Sequence, residues 1–188
     1  MKIAAARMQQ LIEDILAYSL NSNKEAPLVP TDLNKVLEHV LEELKETMTA
    51  QQAVIDATGL PQVNGIPFQL QQLFINLLSN SLKFSKPGLA PHIALCGDMV
   101  QGEAISDKMA VTGKRYHHIS VTDNGIGFLP EYNTLIFDVF QRLHGRSEYE
   151  GTGLGLAICK RIVENHYGII LASGQPDKGA VFHIYLPA

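Results

Sequence analysis

The chain has 188 residues, 46% of them apolar, with 15 basic and 19 acidic side chains and a formal net charge of −4. That content is enough for the core of one ordinary domain, so disorder is not the default, and the charge balance supplies no basic field for nucleic acid or an anionic membrane surface. No apolar run reaches the roughly 20 residues of a bilayer span, and "MKIAAARMQQLIEDIL" has acids and glutamines where a signal peptide needs an unbroken apolar stretch.

Residues 1 to 20 place Ile3, Met8, Leu11, Ile12, Ile15, Leu16 and Leu20 near one helical stripe, opposite Gln9, Gln10, Glu13 and Asp14. "NSNKEAP" breaks this amphipathic helix and reads as a hinge. "PLVP" is a short extended piece, after which Thr31 and Asp32 can cap a helix carrying Leu33, Val36, Leu37, Val40, Leu41 and Leu44 and ending near Met48. "AVIDATG" and "PQVNG" read as two short strands around a Gly-Pro turn, and Pro67 suits the first turn of the next helix. "HIALCGDMV" and "RYHHISVTD" read as paired strands joined by a polar hairpin tip, "QGEAISDKMAVTGK". An irregular region runs from "DNGIGF" to Glu150, followed by a helix from about Thr152 to His166 and the strand pair "GIILAS" and "GAVFHIYLP". Helices mixed with mostly antiparallel strand pairs predict a two-layer α/β sandwich. Cys96 and Cys159 lie far apart without metal-ligand spacing and read as small buried apolar residues.

Three stretches carry chemistry. In "NLLSNSLKFS", Asn76, Asn80 and Lys83 join Gln72 within an arc of roughly 80° on a helix, while leucines and phenylalanines fill much of the rest. A bare amide in a core costs a few kcal/mol unless paired, so this stripe faces water, a polar network or a ligand. A solvated face is usually Glu and Lys; asparagines are poor helix formers, and their carbonyls suit a hard cation such as Mg²⁺ while lysine suits a phosphate. "VTDNGIGF" ends a strand with Asp123 and then Gly125 and Gly127, which let backbone approach a flat ligand while the carboxylate accepts its hydrogen bond. "GTGLGLAICKRIV" puts Gly151, Gly153 and Gly155 at a loop entering a helix, where free amides favour an anion. Its spacing is GxGxG with no strand directly before it, which excludes a dinucleotide-binding reading.

"QLFINLLSNSLKFS", "VTDNGIGF", "IFDVFQRLHGRSEYEGTGLGLAI" and "KGAVFHIYLP", in this order, resemble the N, G1, F, G2 and terminal motifs of sensor histidine kinases across residues 28 to 188. The resemblance implies the Bergerat ATP-binding fold, a mixed and mostly antiparallel sheet with three helices on one face and ATP on the other side of those helices under a mobile lid. Residues 1–22 then correspond to the end of the second helix of a dimerisation and phospho-acceptor hairpin, and 28–188 to the catalytic ATP-binding domain. On the same basis Asn80 ligates Mg²⁺ with Asn76 beside it, Lys83 meets the phosphates and Phe84 lies near the base. Asp123 accepts the adenine amino group, with Gly125 and Gly127 shaping that pocket. Arg142 approaches the γ-phosphate, and Gly151, Gly153, Leu154 and Gly155 close the site. Phe137 and Phe140 anchor the lid, which runs from about Asn133 to Glu150 and offers Arg146 as a further phosphate contact.

Related ATPases of the gyrase and mismatch-repair kind carry a Glu one turn before the metal Asn, as the base that activates water. Asn76 cannot take that proton, so the implied activity is transfer of the γ-phosphoryl to an external nucleophile with little hydrolysis. The family's nucleophile is a histidine followed by an acid on the hairpin, and none of the seven histidines has that setting. His39 reads as a helix residue, His117, His118 and His183 as sheet residues, His144 as a solvated lid residue and His166 as a helix-end residue favoured by the dipole. The chain is therefore expected to be a fragment starting after the acceptor. It should bind ATP without autophosphorylating, self-associate weakly through residues 1–20 and signal to a response regulator. The implied setting is cytoplasmic, whether or not a parent protein is membrane-anchored, with no nucleic-acid or direct membrane contact. A degenerate nucleotide-binding module and a protein serine kinase of the same fold are the alternatives. Val139, where proline is usual, and Tyr167, in place of a glycine, depart from the family pattern.

Overall fold

The computed structural model describes residue 12, residues 26–143 and residues 151–188. The amphipathic stripe of residues 1–20, its self-association, His144 and Arg146 therefore lie outside the described residues, apart from Ile12, which is helical and exposed.

Strand β1 (Val29–Asp32) runs into helix α1 (Leu33–Gln51), where Asp32 accepts a hydrogen bond from the Asn34 amide at 2.9 Å as an N-cap. The helix buries Leu33, Val36, Leu37 and Val40 and continues three residues past Met48, ending at a left-handed Gln52. Strands β2 (Val54–Thr58) and β3 (Gln62–Gly65) follow, then α2 (Pro67–Lys83), with proline in its first turn. Next come β4 (His92–Gln101), β5 (Arg115–Asp123), α3 (Gly155–Asn165), β6 (Ile169–Gln175) and β7 (Gly179–Pro187).

β2 and β3 do not pair with each other. β3 joins β1 in an antiparallel two-stranded sheet, whereas β2 lies parallel to β4 at the edge of a five-stranded sheet ordered β2-β4-β5-β7-β6. Close approach at the connection explains the split: a Cβ on Gly59 would come 2.5 Å from the Gly97 carbonyl oxygen, so Gly59 presses against β4 and sends the chain away from a hairpin. The other pairings are antiparallel, and the sheet is mixed as expected.

The period-two alternation of strands decides which residues meet the helices. Ile93, Leu95, Ile119, Val121, Phe182, Ile184 and Leu186 pack in one cluster with Leu70, Leu73, Leu77 and Leu78 of α2 and Ile158 and Ile162 of α3. Three helices thus cover one face. The opposite face is covered in part, because the β4–β5 connection folds back so that Ile105 packs on Tyr116 and Ile169. That connection was expected to be a polar tip; Ile105 is its apolar anchor. Cys159, on the inner face of α3, is buried as expected, but Cys96 is exposed because it shares the open face with Asp98, two residues along.

Candidate functional site

α2 is apolar around most of its surface, and its polar stripe borders a cavity of about 440 Å³. Asn76, Asn80, Lys83 and Phe84 form one wall, Asp123 and Phe182 reach it from the sheet, and the segments 141–143 and 151–153 close the remaining side. The cavity thus extends between α2 and the ends of β5 and β7, and is not confined to the far side of the helices.

Asp123 terminates β5 and lines the cavity. Its Oδ1 accepts hydrogen bonds from the Gly125 amide at 2.9 Å and the Ala180 amide at 3.2 Å, and the Ser81 hydroxyl lies 3.3 Å from Oδ2. Burial nevertheless outweighs these bonds and raises its pKa above the ordinary carboxylate value. Two close approaches build the surrounding backbone. A Cβ on Gly125 would come 2.6 Å from the Phe84 carbonyl oxygen, and Gly127, at φ 63°, leaves no room for a Cβ beside the Gln175 carbonyl. The Ile126 amide donates to the Phe84 carbonyl at 2.9 Å, and the Lys86 ammonium donates to the Asp177 carbonyl at 2.6 Å, tying three segments together.

Also on the cavity wall, the Lys83 ammonium sits 4.7 Å from the centroid of the Phe84 ring. A Cβ on Gly151 would be 2.6 Å from that nitrogen, so the glycine loop lies directly against Lys83. Arg142 donates to the Gly151 carbonyl, and the Phe140 amide donates to the Gly153 carbonyl at 3.1 Å. On α2, the Asn76 carbonyl accepts from Gln72 at 3.1 Å and its amide nitrogen donates to Gly155 at 3.3 Å.

Of the residues singled out in the sequence, Asn76, Asn80, Lys83, Phe84, Arg142, Asp123, Gly127, Gly151, Gly153 and Gly155 all line this cavity. Gly125 stands behind Asp123, and Leu154 is 1% exposed in the core, where it supports α3 from beneath. Phe137 is buried and packs edge-on against Phe182 at 6.5 Å. Phe140, expected to anchor the lid by packing, is instead 58% exposed, because its left-handed backbone at φ 64° lets its amide bond to Gly153 while its ring turns outward. Val139 is exposed, and Tyr167 takes φ 56° at an exposed position, the backbone a glycine would adopt freely. His166 is no charged helix-end cap: it is 2% exposed, accepts from the Ile66 amide and donates to the Ile162 carbonyl, and burial lowers its pKa. Ser81, Gln141 and Thr152 also line the cavity and escaped the sequence reading. Ser81 lies five residues after Asn76 and so at a visible step around α2, but its link to Asp123 depends on strand placement.

Residues 65–188 match the family of histidine kinase-, DNA gyrase B- and HSP90-like ATPases. The chain belongs to this family. Within it, the chain carries the ATP-binding catalytic domain of a sensor histidine kinase. It is 38% identical over 180 residues to the phytochrome-like protein Cph1 of Synechocystis sp., covering 96% of this chain and 22% of that protein. It is 31% identical over 185 residues to the adaptive-response sensory kinase SasA of Synechococcus elongatus, covering 96% of this chain and 44% of SasA. The histidine kinase domain thus spans less than half the length of these relatives. The solved structure of the mycobacterial sensor histidine kinase MprB superposes with a TM-score of 0.67 at 26% identity, covering 85% of this chain and 97% of that one. Among the described residues no helix is long and apolar enough to cross a membrane.

The donor set fits a hard cation held largely by a ligand's own phosphates. Among the described residues no group of three or more His, Cys, Asp or Glu side chains could cage a metal ion, whereas Mg²⁺ commonly takes one or two protein oxygens with substrate phosphates and water. Asn80 is half-buried on the cavity wall, and its side chain has no hydrogen-bond partner among the described residues. The Asn76 carbonyl is already engaged by Gln72.

Proposed function

We propose that this domain binds Mg-ATP in the α2 cavity and passes the γ-phosphoryl to a histidine on a hairpin that the described residues do not contain. The observation that carries the reading is the lining of the cavity: one carboxylate, Asp123, held by the Gly125 and Ala180 amides, and two cations, Lys83 and Arg142, beside the glycine loop. Adenine would donate its amino group to Asp123 near Phe84, and the phosphates would lie against Lys83 and the glycine loop. Asn80 is the first oxygen donor for Mg²⁺, with Asn76 joining it if the amide releases Gln72. The ion, when bound, supplies charge neutralisation across the phosphates.

Transfer then needs positioning more than base chemistry. Asp123 is the sole carboxylate among the described lining residues, and its Oδ1 is already engaged by the Gly125 and Ala180 amides. No described carboxylate can therefore activate water beside the phosphates. The acceptor imidazole nitrogen would bond to the γ-phosphorus as its bond to the bridging oxygen breaks, and ADP would leave. Lys83 and Arg142 would meet the charge that develops. A response regulator would take the phosphoryl group from that histidine, in the cytoplasm of the cell that makes the parent protein. Residues 1–22 would belong to the hairpin and 28–188 to the catalytic domain.

The deciding experiment supplies a separate acceptor hairpin with radiolabelled ATP. Label on histidine, stable in base and labile in acid, supports the reading. Acid-stable label on serine would make the domain a serine kinase, and nucleotide binding with no transfer would make it a binding module.

A further inference from the structure

The face of the sheet away from the helices and the ATP cavity carries a second cluster of polar side chains. Strand alternation puts Asp98 of β4, His118 of β5 and His183 and Tyr185 of β7 on this face, with His118 opposite Tyr185 in register and His183 two pairs further along, opposite Ser120. His118 Nδ1 lies 2.8 Å from Asp98 Oδ1, and His118 Nε2 lies 3.0 Å from His183 Nδ1. The Tyr185 ring stacks on His118 with centroids 4.7 Å apart and fixes the imidazole plane.

We infer that His118 and His183 form a two-imidazole site for a divalent transition metal ion of the nickel or copper kind, oriented by Asp98. Asp98 holds the proton of His118 on Nδ1, which leaves a bare lone pair on Nε2 aimed at His183. A carboxylate behind an imidazole is the arrangement that fixes the tautomer and ring orientation of metal-ligating histidines and raises their basicity. Adjacent nitrogens on a square-planar ion at about 2.0 Å from the metal are about 2.8 Å apart, and on a tetrahedral ion about 3.3 Å. The observed 3.0 Å falls nearer the square-planar spacing. To meet one square-planar ion, each ring would turn its nitrogen about 45° away from the N···N line, and the proton between the nitrogens would pass from His183 Nδ1 to its Nε2 or to water. The Asp98 side chain is 64% exposed and His118 17%, so water can reach the pair and fill the remaining coordination positions.

The test is calorimetric titration of the untagged full chain with nickel chloride, an ion that leaves the exposed Cys96 unoxidised. One equivalent should bind. Affinity should drop at least tenfold in His118→Ala and in His183→Gln and about 10- to 100-fold in Asp98→Asn, while His92→Ala, at the separate Asp56 pair, should bind as the wild type does. Unchanged affinity in both histidine variants, or no stoichiometric binding by the wild type, overturns the proposal. Proton NMR of the wild type provides a readout independent of the variants' folding: substoichiometric nickel should broaden the His118 and His183 ring signals first, and earlier broadening of His92 or His117 overturns it as well.

Discussion

Asn76 donates its side-chain amide to the Gly155 carbonyl at 3.3 Å, so the helix that floors the cavity is tied directly to the glycine loop that closes it. Gly155 opens α3, and the bond therefore fixes where that helix starts relative to α2. Further down the same interface, Asn165 donates to Gln69 at 3.3 Å and His166 accepts from Ile66 at 2.8 Å. Polar contacts set in an apolar seam thus pin both ends of α3 to the stretch of α2 between Ile66 and Asn76.

Asn76→Ala removes the donor to Gly155 and the acceptor for Gln72. Stability should fall by about 1 kcal/mol, the usual net worth of such a bond, read as a lower urea midpoint without ligand. Nucleotide affinity should fall as well, because the loop loses its tie to the floor. A midpoint and an affinity both equal to wild type would remove this link from the account.

Asn76→Glu tests the missing base. Placing a carboxylate one turn from Asn80 should raise the ATP hydrolysis rate, by about 10²-fold if the group acts as a positioned general base. Phosphate release no faster than wild type, with nucleotide still bound, would overturn the role proposed for Asn76 in limiting hydrolysis.

Asp123→Asn exchanges one acceptor oxygen for a donor. Affinity for ATP should drop by about 10- to 150-fold, the equivalent of 1.5–3 kcal/mol for a hydrogen bond to a charged group, measurable by calorimetry. The wild type adds a pH signature. Burial raises the pKa of Asp123, so on acidification it takes up its proton above the ordinary value of 3.8 and loses its acceptor there. Affinity should therefore weaken with falling pH earlier than an ordinary carboxylate would make it, and Asp123→Asn should flatten that part of the curve. For folding the sign is opposite: the folded state holds this proton more tightly, so stability contributed by Asp123 falls as pH rises from 3.8 through the raised value.

Gly127→Ala should destabilise the fold by about 1–2 kcal/mol from the left-handed backbone alone, and by more because the methyl meets the Gln175 and Gly179 carbonyls. Thermal unfolding without nucleotide reads this directly. Gly88→Ala is the control: its φ is 76°, but nothing lies within 4 Å of a Cβ there, so only the backbone cost should remain.

The parts of the fold that were legible are those where spacing and chemistry coincide. The stripe Asn76, Asn80, Lys83 stood out because amides are unusual on a helix whose other faces are leucine, and the structure brings all three to the cavity. The pairing of β2 was not legible: a five-residue strand next to a turn looks like half a hairpin, and its partner, β4, is chosen by contacts more than thirty residues away. Cys96 could have been placed by parity with Asp98, since alternate residues share a face. Phe140 could not, because an outward ring follows from a positive φ that no local sequence signal marks. His166 was misread for a related reason: helix-end position suggests a charged cap, and only the packing of Gly65, where a Cβ would come 3.1 Å from the ring, reveals a buried neutral one.

His166 yields the last prediction. Its Nδ1–H donates to Ile162 at 2.7 Å and its Nε2 accepts from the Ile66 amide at 2.8 Å, so a second proton has no acceptor and would break the bond to Ile66. Burial lowers its folded pKa below 6.5. As pH drops from 6.5 towards that folded value, the unfolded chain takes up a proton that the folded chain refuses; stability falls across this window and levels off beneath it. His117 and His183 are shifted in the same direction, so the slope in the wild type is a sum. His166→Gln keeps a polar group but cannot titrate. It should cost about 1–2 kcal/mol at pH 7.5 through poorer hydrogen-bond geometry, and its urea midpoint should fall less steeply than that of the wild type between pH 6.5 and 5. Parallel curves for the two proteins would mean that the acid sensitivity lies in the sheet histidines and not at the junction of α2 and α3.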